Sequence, residues 1–133
     1  MKAPTRWFAL LLATCTSGCV VAAAGAGAGG GIYLTSRGVE SVLVQPIAAV
    51  ADATERAFEA LEIERTGLEI DDENERRVYR GEPAAGEPDV TVRLETEPSG
   101  STKVDVTART SAVTWDQDYA RAVLERITEE VSG

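Results

Sequence analysis

"DVTVRLETEPSGSTKVDVTAR", residues Asp89 to Arg109, decides how this chain folds. Two runs in it alternate apolar and polar residues, with Val90, Val92 and Leu94 in the first and Val104, Val106 and Ala108 in the second. A period of two puts those side chains on one sheet face and sends Thr91, Arg93, Glu95, Asp105 and Thr107 to the other. "EPSGS" between the runs brings Pro and Gly for a turn. The stretch therefore predicts an antiparallel hairpin, apolar on one face and wet on the other.

Working upstream, "LEID" and "RRVYR" flank "DENE" and read as a second hairpin. Ahead of it, "VESVLVQP" reads as a first strand ended by Pro46, and a helix follows over residues 46–62. Pro suits the first turn of a helix, where its missing N–H leaves no bond unmade. Ile47, Val50, Ala51, Thr54, Ala57, Phe58 and Leu61 recur at helical spacing, with Asp52, Glu55, Arg56 and Glu59 opposite them. Thr66-Gly67 is the expected stop. Downstream, "TWDQ" reads as a capping box of Thr114 and Gln117. It opens a helix striped by Ala120, Val123, Leu124, Ile127 and Val131.

The order β-α-β-β-β-β-α, with one apolar face per element, predicts an α+β two-layer sandwich. Two helices cover one face of an antiparallel sheet. Only four aromatics follow residue 38 (Phe58, Tyr79, Trp115 and Tyr119), so the core is mainly aliphatic and modest in size. The domain is expected to occupy residues 39–133.

Composition narrows the chemistry. The chain of 133 residues has no histidine, and its two cysteines are Cys15 and Cys19. Histidine bases, His-rich zinc sites and Cys-His or Ser-His pairs are excluded. Lys2 and Arg6 are the only charges ahead of Cys19, so the remainder carries all 22 acids against 11 bases, a formal charge of −11. Such a surface repels nucleic acid and anionic bilayers.

The first 19 residues read as an address. "MKAPTR" is basic, "WFALLLAT" is apolar but too short to span a bilayer, and small polar residues lead to a cysteine. This is the plan of a secretory signal peptide. Its exit, "TSGC", resembles the lipobox of bacterial lipoproteins, with Thr16 in place of the usual Leu. The resemblance implies a signal peptide over residues 1–18, cleaved between Gly18 and Cys19, with acyl chains such as palmitate on Cys19. Cys15 is the alternative, although Thr14 stands where a smaller residue is usual. One acyl chain holds a protein marginally, at about 0.8 kcal/mol per buried methylene, whereas two or three hold it firmly. Val20 is not the Asp that marks inner-membrane retention, so the resemblance implies an outer membrane and a domain facing the periplasm.

Residues 19–38 are then a lipidated cysteine followed by a Gly/Ala-rich tether. As a coil, the 19 residues after the cysteine span about 25 Å, and at full stretch about 65 Å. Two competing readings are weaker. Gly25 and Gly29 stand in membrane-helix packing register with Gly27 and Gly31 beside them, and an uncleaved glycine-zipper span is the alternative anchor. Yet Gly costs about 1 kcal/mol relative to Ala in a helix. Gly25, Gly27 and Gly30 also spell a dinucleotide fingerprint, but no helix follows directly and "QPIAAVA" has no acid where the ribose needs one.

Lipobox, tether, Pro46-Ile47, Val50, Ala53-Thr54, Ala57 and Ala60-Leu61, a β-rich middle and a final helix with Leu124 and Ile127 together resemble a family of small bacterial lipoproteins of unknown function. The resemblance implies no catalytic residues. The acidic run Glu69–Glu75 fails the calcium-loop template, because from Asp72 the sixth position is Arg77 and the twelfth Pro83. Arg76, Arg77 and Arg80 read as partners for nearby acids. The expectation is a non-enzymatic envelope lipoprotein with no cofactor and no metal. Its partners are the lipid bilayer, through acylated Cys19, and an envelope protein; no nucleic acid or small-molecule substrate is indicated. The contact surfaces are the wet sheet face and the region of Trp115 and Tyr119.

Overall fold

The computed structural model describes residues 31–84 and 86–133. The hairpin that opened the sequence forms as expected, from β5 (Asp89–Thr96) and β6 (Thr102–Arg109). Val90, Val92, Leu94, Val104, Val106 and Ala108 are all buried. The turn closes with Glu97 N–H donating to the Ser101 carbonyl at 2.8 Å. Gly100 sits there at φ +85, a conformation that glycine adopts without penalty.

The remaining elements are β1 (Tyr33–Leu34), β2 (Gly38–Leu43), α1 (Ile47–Ala60), β3 (Glu64–Asp71), β4 (Arg76–Glu82) and α2 (Gln117–Ser132). They build one antiparallel sheet in the order β1-β2-β6-β5-β4-β3. β2 therefore pairs with β6, at the other end of the chain, from Gly38↔Thr107 to Leu43↔Thr102. α1 leaves β2 and delivers the chain to β3 at the far edge, four strand spacings or about 19 Å away. Its 14 residues run about 21 Å, enough for a diagonal crossing of the sheet.

Both helices lie on one face, α2 over β6 and β2, and α1 over β5 and reaching β3. Their stripes meet the inner residues of the sheet. Val50, Ala53, Ala57, Phe58, Val123, Leu124 and Ile127 join Val39, Leu43, Tyr79, Val92 and Val106 in one cluster. Phe58 meets Tyr79 edge to face, with centroids 6.4 Å apart. Fully burying one such aliphatic or aromatic side chain contributes about 1.5–3 kcal/mol. Gly81 in β4 is needed for this approach, because a Cβ there would run into Phe58 and Ile63.

Three boundaries differ from expectation, each for a local reason. The first helix stops at Ala60, ahead of Thr66-Gly67. Ile63 N–H donates to the Phe58 carbonyl and Glu62 N–H to the Glu59 carbonyl, the two bonds of a Schellman cap. Glu62 holds the left-handed position, at φ +55, that glycine usually fills. Gly67 instead lies inside β3, beside a bulge between Arg65 and Gly67 that disturbs this edge strand.

The second helix is capped by Asp116, whose carboxylate accepts from Tyr119 N–H at 2.8 Å, and not by Thr114. Trp115 bridges to Arg109, and Asp116 N–H donates to the Ala108 carbonyl, so the sheet holds the chain until Asp116. Finally, strand pairing begins upstream of Val39. Tyr33 pairs with Glu40 and Leu34 with Val39, adding a short edge strand inside the segment read as tether. Thr35 closes that turn, its N–H donating to the Gly38 carbonyl and its hydroxyl accepting from Gly38 N–H.

Candidate functional site

Gly18 and Cys19, the cleavage and lipidation residues expected from sequence, lie outside the described residues, as does the Gly/Ala stretch up to Gly30. Within them, the two surfaces singled out from sequence have different characters.

The first is the sheet face opposite the helices. Its rows follow from strand register. Arg93 stands opposite Asp105, Glu95 opposite Lys103, and Thr91 opposite Thr107. Beyond β6, Glu40 of β2 stands opposite Asp105, a like-charge pair that is unfavourable on its own. Lys103 relieves it by reaching diagonally to Glu40, Nζ to Oε2 at 3.4 Å. Arg93, Glu95, Lys103 and Asp105 surround a notch of about 60 Å³. Burial pushes the Asp105 carboxyl above the ordinary carboxylate range; Glu40 and Glu95 add to this, and Arg93 and Lys103 oppose it.

At the outer edge, Arg80 Nη1 meets Glu69 Oε1 at 2.7 Å and Arg76 meets Asp71 at 3.4 Å. Asp71 also accepts from the backbone and side-chain amides of Asn74, which closes the "DENE" turn. The hydrogen bond from Arg80 holds the Glu69 carboxyl below its usual range, and those from Asn74 do the same for Asp71. The three arginines are thus divided. Arg76 and Arg80 pair with acids on this face, while Arg77, opposite Leu94 and Ile70, belongs to the helix side. Among the described residues, no group of three or more His, Cys, Asp or Glu is placed to hold a metal ion.

The second surface gathers around Trp115, where the β1–β2 turn meets the loop between β6 and α2. Arg37 lies over the indole, 5.6 Å from its centroid. The Gln117 side-chain amide donates to the Thr35 carbonyl. Trp115 is half-buried, as is Tyr119, whose hydroxyl is pushed above its ordinary pKa by burial and then by Glu87. A broad groove of about 520 Å³ opens beside the indole, lined by Ser36, Thr110, Val113, Asp116 and Asp118 among others. Val113 at its rim is 86 % exposed. Sequence reading named Trp115 but missed Arg37 and gave Gln117 a capping role, since both act on partners distant in the chain. Only Asp116 had a local signal, an acid directly before the helical period.

Two surfaces thus stand out, one made by strand register and one by a loop meeting a turn. Both offer recognition chemistry: paired charges on the sheet face, and a stacked indole with a carboxylate-rich rim at the groove. The chain matches the family model described as "Protein of unknown function (DUF3568)" over residues 4–130. No curated protein matches it.

Proposed function

The chain belongs to the DUF3568 family, whose function is unknown, and on that premise we propose that it is a lipid-anchored envelope protein whose domain binds or braces without catalysis. The observation that carries this reading is the segment ending in "TSGC": basic, then apolar, then small, and finishing on Cys19. The family match begins at residue 4 and so covers residues 4–19 of that segment. Among the described residues no helix is long and apolar enough to cross a membrane.

Signal peptidase cuts between Gly18 and Cys19, and acyl chains on Cys19 hold the domain at a bacterial outer membrane, facing the periplasm. The residues up to Gly31 give it reach, and the acidic surface keeps it off anionic headgroups. The absence of histidine, and of cysteine beyond residue 19, favours a contact role over an enzymatic one.

Feeding cells a fatty-acid analogue tests this reading. The wild-type chain takes up label and fractionates with membranes, and Cys19→Ala loses both. Label retained by Cys19→Ala refutes Cys19 as the anchor, and a mass shift on Cys15 moves it there. Membrane retention of an unlabelled, uncleaved chain would favour a glycine-zipper helix through Gly25 and Gly29.

A further inference from the structure

The domain after Cys19 is strongly acidic, with 22 acids against 11 bases, yet its charge is unevenly spread. On the outward positions of β2, β6, β5 and β4, acidic and basic side chains balance one for one. The excess acid lies on the helices, the loops and β3. Another copy of this chain is therefore repelled from most directions and least from the sheet face.

The register on that face has a further property. Each of Arg93 and Glu95 on β5 stands opposite a residue of the other sign on β6: Arg93 with Asp105, Glu95 with Lys103. A twofold axis parallel to the strands, running between β5 and β6, lays β5 of one copy over β6 of the other. Every cross-strand pair then recurs between copies. Arg93 meets Asp105 of the second copy, Glu95 meets its Lys103, and Thr91 meets its Thr107. The same axis lays β2 over β4, so Glu40 descends on Val78 between Arg76 and Arg80 of the second copy. Sheets pack face to face about 10 Å apart with strands aligned to within about 30°, which such an axis satisfies.

We propose that the bare sheet face is a self-association surface, on which a second copy of this chain docks sheet to sheet through the Arg93–Asp105 and Glu95–Lys103 pairs. Four strands crossed by three outward rows cover about 400 Å² per copy, or about 800 Å² in all. That is below the usual size of a specific interface, so the dimer is weak. The interface is isologous, which closes the assembly at two copies.

Sedimentation of the purified full chain in detergent, up to about 1 mM, is the test. Wild type dimerises. Arg93→Glu places two acids opposite each other across the axis, and Asp105→Arg two bases. Each alone weakens self-association at least about tenfold. Mixed in equal amounts, the two variants pair with each other at wild-type strength. The acid introduced at position 93 of one then faces the base introduced at position 105 of the other, while the native Arg93 and Asp105 that remain still face each other. Overall charge repulsion makes a different forecast: Arg93→Glu weaker, Asp105→Arg stronger and the mixture intermediate. The pair Glu95→Lys and Lys103→Glu repeats the logic at a second row should either first variant fold poorly. The Cys19→Ala chain gives the same pattern, which separates this contact from the anchor. A wild type that stays monomeric to about 1 mM, or a mixture no tighter than the single variants, overturns the proposal.

Discussion

Two hairpins of this sheet, each closed by a short turn, have opposite character. β5–β6 sits at the centre, flanked by β2 and β4 and roofed by both helices. Its inner apolar residues are at most 1 % exposed. β3–β4 ends the sheet, and β3 leaves Leu68 and Ile70 at 37 % and 54 % exposure on the helix side. One is held by packing. The other is held on the helix side by buried Tyr79 and by the close approach at Gly81, and along its outer strand by surface ion pairs, each worth at most about 1 kcal/mol. A sheet of uniform hydrogen bonding is thus firm in the middle and loose along one side.

Paired truncations give the largest test of that difference. Leu94→Ala in β5 is expected to cost about 2–5 kcal/mol in urea unfolding. Ile70→Ala in β3 is expected to cost under about 0.5 kcal/mol. Equal losses would mean that the outer hairpin is packed as firmly as the inner one. Gly81→Ala comes next, at about 1–3 kcal/mol, because the new methyl displaces Phe58 and Ile63. Its effect sharpens the comparison if amide exchange quickens in β3 and β4 while β5 and β6 stay protected.

Glu62→Gly should move the other way. Relieving the left-handed Glu62 at the start of this hairpin is expected to raise stability by about 1 kcal/mol. The smallest effect is a contrast of two carboxyls followed by NMR titration. Asp71, in the outer turn, titrates below the ordinary Asp value, and Asp105, in the central hairpin, above it. The signs of their linkage are opposite. Asp71 stabilises the fold above the ordinary value and loses that contribution as pH falls through its depressed pKa. Asp105 favours the fold when protonated, and that contribution fades as pH rises through its raised pKa. Titration of both carboxyls at the ordinary value would erase the distinction.

The same contrast explains what was legible in the sequence. Residues 89–109 alternate because one face is buried and the other is wet, so both strands, their turn and their inner residues could be read directly. β3 alternates poorly because its inner face is half open and a bulge interrupts it. α1 hid its end because Glu62 fills a place where glycine would have announced the cap. β1 went unread because two pairings beside a glycine-rich stretch leave no period. At the candidate surfaces, the charges of the sheet face were visible as outward residues, but their mutual register was not. Arg37 and Trp115 meet only because β2 pairs with β6, a fact of topology that no local pattern encodes.

That pairing also bears on the time course of folding. β2 must wait for β6, about half the chain later, and the intervening loop is closed at an entropic cost before any inner residue of β2 is covered. A chain emerging from its N-terminus first, at about 5–20 residues per second, cannot bury Val39 or Leu43 in their final places until Arg109 is free. Native contacts of high sequence separation slow folding further. The domain therefore closes late, and β2 is among the last strands to gain its final neighbours.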